Sequence, residues 1–161
     1  MNTRLIRISL SLAFTIYMTL VCFNNITDYS SNFTFVSKVA GMEDVFSQET
    51  TGWRSIQDNT LHHIMYISII LVELCIAILL MSGSIKMISN YKSSAEVFQS
   101  SKKLTITALA TAVLLFLIFF ITIAGEWFLM WQSEQWNAQQ TAFSLTTIFL
   151  LALIFMNQDE K

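Results

Sequence analysis

Proline is absent from this chain of 161 residues, cysteine occurs twice, and charged side chains make up only 12% of it. Each shortage excludes something. Without proline the helices have no obvious break, so the interrupted helices that many transporters use are not expected. Cys22 and Cys75 form no C-x-x-C pair, so thiol–disulfide chemistry has no motif. They fall at different depths of separate helices, which argues against a bridge, and both read as buried small apolar residues. A soluble domain carries ~25% charged residues, about twice the share here. The net charge of -2 gives no nucleic-acid signature. The two histidines are adjacent, His62-His63. Neighbours on a helix point about 100° apart and cannot chelate one ion from one face. A haem would need an axial histidine inside the bundle, whereas His62 falls near a helix end. No metal site, cofactor or reaction-specifying cluster is read, so the chain is not expected to be an enzyme.

What is present in abundance is apolar length. Four runs, at roughly 5–23, 61–82, 104–124 and 141–156, interrupt a chain that is 54% hydrophobic with mean hydropathy +0.57. A hydrocarbon core about 30 Å thick needs ~20 mostly apolar residues in a helix. The middle two runs reach that length directly and the outer two with their flanks. The first begins with Arg4 and Arg7, as a signal peptide would, but Phe23-Asn24-Asn25 is no small-residue cleavage site, so a retained helix is expected. The predicted fold is all-α: a four-helix transmembrane bundle forming a single integral membrane domain. On the third run Ala108 and Ala112, with Thr105 and Thr111 nearby, favour close helix packing.

Basic residues set the orientation. Arg4, Arg7, Lys86, Lys92, Lys102, Lys103 and Lys161 fall on one side, Lys38 and Arg54 on the other. Both termini are therefore predicted cytoplasmic, with 24–60 and 126–140 exoplasmic. The first of these segments carries Tyr29, Phe33, Phe35, Phe46 and Trp53, too apolar for a disordered linker. Short helices and turns are expected, forming a small cap with the second segment. Trp127, Trp131 and Trp136 in that second segment fit an interfacial aromatic belt or, more specifically, a docking surface. Asn24, Asn25, Asp28, Trp53, Arg54, Glu126, Trp127, Trp131, Gln132, Trp136 and Asn137 are the candidate ligand or partner surface. Within it Arg54 is expected to pair with Glu126 or Asp28. Asn24, Asn25, Thr27 and Asp28 also read as caps and turn-formers after the first helix. The segment 85–103, rich in serine and lysine, reads as a solvated connector with room for a short helix.

Glu73 is the one carboxylate well inside an apolar run, roughly 18 Å along its helix and close to mid-membrane. An ionised group there is costly and by default functional. His62 and Tyr66 precede it by eleven and seven residues. At 100° per residue both fall within about 20° of its direction. His62, Tyr66, Glu73 and Ala77 thus form one stripe, serving either a proton path or polar pocket, or simply hydrogen bonding to a neighbouring helix.

Several strings taken together point to a family. They are Asn24-Asn25-Ile26-Thr27-Asp28-Tyr29, Asn32-Phe33-Thr34-Phe35-Val36, Gly41-Met42-Glu43-Asp44, Trp53-Arg54-Ser55-Ile56, and above all Glu126-Trp127-Phe128-Leu129-Met130-Trp131-Gln132-Ser133 with Trp136-Asn137. The chain resembles the bacterial predicted small integral membrane proteins of unknown function, nearly end to end. Lys38-Val39 and Met42-Glu43 depart from the family's usual histidine-valine and methionine-aspartate steps. The resemblance implies four spans in the bacterial inner membrane and supplies no reaction. The expected role is non-enzymatic: an envelope protein acting through membrane lipid or a membrane-protein partner, with self-association, in a task such as barrier maintenance. The alternatives are a small proton-coupled transporter or channel using Glu73, His62 and Glu126, and a quinone-binding membrane anchor of a redox complex.

Overall fold

The apolar runs become four long helices suited by length and composition to crossing a membrane, and no strand occurs among the described residues. The computed structural model describes residues 3–160; Lys161, counted in the charge asymmetry, lies outside them. Helix α1 spans Thr3–Thr27, α2 Tyr29–Ala40, α3 Gln48–Thr51, α4 Asn59–Ser89, α5 Ala95–Ser101, α6 Lys103–Leu114 and α7 Gln139–Asn157. The third span continues beyond α6 as a π-helix, Leu115–Trp127. Its wider turn shows in Thr122 Oγ1 donating to the Leu117 carbonyl, five residues back, at 2.9 Å.

Each span is longer than its apolar run, because a helix stops at a cap or turn rather than where polarity begins. The start of α4 is fixed by Asp58, whose carboxylate accepts from the Thr60 and Leu61 amides at 2.7 and 3.1 Å. These bonds hold the Asp58 carboxyl below its ordinary pKa. Asn24, Asn25 and Thr27, expected to cap, lie inside α1 instead. Asp28 is the break between α1 and α2, with no side-chain capping bond.

The spans pack in chain order: α1 on α4, α4 on α6, and α7 on both α6 and the π-segment. Phe14 and Phe149, 4.9 Å apart, close the ring between α1 and α7. Lipid tails give helices no hydrophobic reason to associate, so close packing and polar contacts must supply it. Ala108 and Ala112 are fully buried, as their spacing suggests. Beside them Ser11 Oγ meets Ser84 Oγ at 2.7 Å and Thr105 Oγ1 at 3.1 Å, joining α1, α4 and α6. Gly83 permits that approach. A Cβ there would lie 2.3 Å from Thr105 Oγ1 and 2.8 Å from the Thr105 amide nitrogen. Gly83→Ala should therefore cost about 1–3 kcal/mol through overpacking, read as a lower melting temperature in detergent. Thr105→Ala should not rescue it, since backbone clashes too.

At the end where α1 starts and α7 finishes, Glu160 accepts from Arg4 Nε at 2.6 Å and also pairs with Arg7. Lys102 Nζ donates to the Gln158 carbonyl at 2.6 Å, and Arg4 Nη1 to the carbonyls of Tyr91 and Ser93. The segment 85–103 is mostly exposed, as its composition suggests, with packing reaching it at a few positions. It contains α5, and Phe98 and Lys102 are fully buried. Cys22 is buried, but Cys75 is exposed on the outer face of α4 and does not pack as expected.

Candidate functional site

After Asp28 the chain continues as α2, which packs across the outer turns of α4. Tyr29 and His63 fix it there: the phenol oxygen is 2.8 Å from His63 Nδ1. Phe33 stacks on the same imidazole with ring centroids 4.0 Å apart. Helix α4 packs closely on α6 but not on the π-segment, so the two separate toward this end of the bundle. Helix α2 covers the gap and leaves an apolar cavity of ≈ 180 Å³, walled among others by Phe35, Val39, Met65, Ile69, Phe120 and Ile123.

Glu73, with 3% of its surface exposed, sits beneath that cavity. Asn25 Nδ2 donates to Glu73 Oε2 at 2.6 Å. Tyr66 OH donates to the Asn25 carbonyl at 2.8 Å. Asn25, Asn32, Tyr66 and Glu73 line a smaller cavity of ≈ 70 Å³. Its walls share Phe35, Val36, Ile69 and Phe120 with the apolar one. The result is a lipophilic space with one polar end. His62, Tyr66, Glu73 and Ala77 all lie on the buried face of α4, the stripe drawn by helical phase. His62 does not face Glu73, however. Its Nε2 is 2.8 Å from the Ile56 carbonyl, which can only accept, so Nε2 carries the proton.

Asn25 is the residue that sequence reasoning misplaced. Assigned to a loop surface, it projects into the bundle from the last turn of α1. Its signal was available: Thr15, Met18 and Cys22 are buried at steps of three and four, and Asn25 is the next residue of that stripe. Asn24 and Asp28, neighbours in sequence, are exposed.

Trp53, Arg54, Trp127, Trp131 and Gln132 meet where the segment 41–57 docks on 127–138. Trp53 and Trp127 form an edge-to-face pair at 5.9 Å. Arg54 lies 5.4 Å from each ring. Among the described residues it makes no ion pair with Glu126 or Asp28, contrary to the expected pairing, and its Nε is buried without a hydrogen bond. Arg54 is instead half-buried against two exposed indoles, while Glu126 stays exposed. Phe46 packs edge-on to Trp131, Phe35 edge-on to Trp136, and Ser47 Oγ donates to Gln132 Oε1 at 2.9 Å. Asn137 bonds locally, to the Trp131 carbonyl and the Gln139 amide.

The bond network that joins the two segments centres on Asp44, which the sequence did not single out. Its Oδ2 accepts from Ser133 Oγ at 2.7 Å and from the Glu134 and Gln135 amides. The Ser133 bond and the Gln135 amide hold the Asp44 carboxyl below its ordinary value of 3.8. A carboxyl with a lowered folded-state pKa contributes stability above its unfolded pKa and loses it as pH falls through the folded value. Hydrogen exchange at Glu134 and Gln135 should therefore stay slow when pH drops to the ordinary carboxylate range and quicken only below it. Asp44→Ala should quicken it at every pH.

Among the described residues no three His, Cys, Asp or Glu side chains come together to hold a metal ion. No curated protein and no solved structure matches the chain. The family model of predicted small integral membrane proteins matches residues 3–159. Four membrane-suited helices and a match over nearly the whole length place this protein in that family.

Proposed function

We propose that this is a non-enzymatic protein of the bacterial inner membrane that acts by holding a membrane lipid, alone or with a membrane-protein partner, in service of the envelope barrier. The observation that carries the reading is the covered cavity: α2 lies over an apolar space of ≈ 180 Å³ adjoining a polar pocket that Glu73 and Asn25 line. A plain spacer would fill that gap with side chains. Self-association belongs to the proposal as well, supported by an open apolar groove between α1 and α4 at Phe23, Leu74 and Ile78.

Purification in mild detergent followed by native mass spectrometry tests the reading. The expected spectrum shows the chain, or a small multiple of it, with bound lipid and no chromophore. A stoichiometric soluble subunit with a redox cofactor would favour the membrane-anchor reading instead. The transporter reading draws on Glu73, but His62 is spent on Ile56 and Glu126 is exposed, so neither is hydrogen-bonded to it.

The proposed orientation puts the Asp44–Ser133 end outside the cell. In a background without Cys22 and Cys75, Thr50→Cys should react with an impermeant maleimide on intact cells, and Glu96→Cys only after permeabilisation. Both positions are exposed. The opposite pattern would reverse the topology.

A further inference from the structure

We infer that the Glu73 site takes a lipophilic alcohol or phenol, a molecule with an apolar body and an uncharged hydroxyl that reaches Glu73. The inference rests on the lipid-holding reading and specifies its ligand. Glu73 is 97% withdrawn from solvent contact, at 3% exposure, yet one of its oxygens is unspent. Asn25 donates to Oε2, and among the described residues no group hydrogen-bonds Oε1. That oxygen belongs to a side chain lining the ≈ 70 Å³ pocket, which adjoins the apolar cavity. Oε1 is not sealed off with the rest of the side chain, so a ligand in the pocket can reach it and supply the hydrogen bond that no neighbour makes.

The dimensions and charges select the chemistry. A polar pocket of ≈ 70 Å³ admits a hydroxyl-sized head and not a glycerophosphate. No lysine or arginine lines either cavity, so a phosphate or carboxylate head would face Glu73 with nothing to offset the repulsion. An ammonium head would be drawn to an ionised Glu73 but would have to shed its hydration for a pocket that offers it a single carboxylate. A hydroxyl carries no charge and both donates and accepts, so it satisfies a carboxyl in either protonation state. The adjoining ≈ 180 Å³ cavity, with aromatic and aliphatic walls, suits one chain or ring and not the two tails of a phospholipid. An isoprenoid quinol and an aliphatic polyprenol share this chemistry.

Binding of decylubiquinol, geranylgeraniol and geranylgeranyl methyl ether to the full chain in detergent tests the inference, with thermal shift and native mass spectrometry as readouts. One molecule of alcohol should bind per chain, and the ether at least tenfold more weakly than geranylgeraniol. Glu73→Leu should abolish that difference while leaving the chain folded. Ala124→Leu, which narrows the apolar cavity from its wall, should weaken all three. Tighter binding of decylubiquinol would identify the quinol as the source, and tighter geranylgeraniol the polyprenol. Equal binding of alcohol and ether, still blocked by Ala124→Leu, would overturn the hydroxyl inference and leave lipid holding intact. No binding of any probe, together with protein that purifies free of lipid, would overturn both.

Discussion

Glu160→Ala is expected to destabilise the protein by about 3 kcal/mol, the cost typical of breaking a buried ion pair from one side. Glu160 is the shared partner of Arg4 and Arg7, and its side chain is only 7% exposed, against 3% for Arg7. Its loss leaves the Arg7 guanidinium buried with the Gln158 carbonyl as its remaining hydrogen-bond acceptor, and Arg7 Nε already has none. The same cluster holds the segment after α4, because Arg4 also bonds the Tyr91 and Ser93 carbonyls and the Glu160 amide donates to Gln99. One substitution therefore loosens three pieces of chain at once. Glu160→Gln should fall between wild type and alanine, since an amide oxygen still accepts but carries no charge. The control is Glu43→Ala. Glu43 pairs with Lys38 at the other end, but that pair is exposed, and such pairs contribute ~0–1 kcal/mol. Thermal unfolding in detergent reads all three. Equal losses for Glu160→Ala and Glu43→Ala would show that the cluster is an ornament of the surface.

That cluster also shows why part of the fold was legible and part was not. Four spans could be read because apolar length is a local property, written into consecutive residues. The buried face of α4 could be read because helical phase is local too, which is how His62, Tyr66 and Glu73 fall on one stripe. Arg4, Arg7 and Lys102 are just as visible, but as topology signals. Nothing near them in sequence announces Glu160, which is 156 residues from Arg4. Lys102 sits among serines and lysines, so composition places it in water, whereas tertiary packing buries it completely. The π-helix has no proline to mark it, and the separation of the π-segment from α4 is what creates the cavity. The site thus depended on two features without a local signature, a widened helix and a helix laid across the gap, and on one that had been legible in phase, Asn25.

Asn25 and Glu73 provide the decisive pair of substitutions. Asn25→Leu should cost about 1–3 kcal/mol, because it leaves a buried carboxyl without its donor. Glu73→Leu should cost a similar amount by stranding the Asn25 amide. The double variant should recover most of the loss, since replacing both partners by apolar groups of similar shape is nearly neutral. Tyr66 keeps its bond throughout, because it donates to the Asn25 backbone carbonyl, which leucine retains. Rescue of a deletion strain then separates structure from function. If the polar pair is there to hold a ligand, the double variant folds like wild type and fails to rescue. If it merely ties α1 to α4, the double variant folds and rescues. Glu73→Gln distinguishes the remaining readings. An amide keeps hydrogen-bonding capacity in the pocket, so lipid holding predicts folded, active protein, whereas a proton-coupled mechanism predicts folded, inactive protein because an amide cannot cycle a proton. Unfolding with denaturant in mixed micelles gives the three stabilities, and envelope permeability of the complemented strain gives the activity. A double variant that both folds and restores the barrier would end the case for a functional site at Glu73.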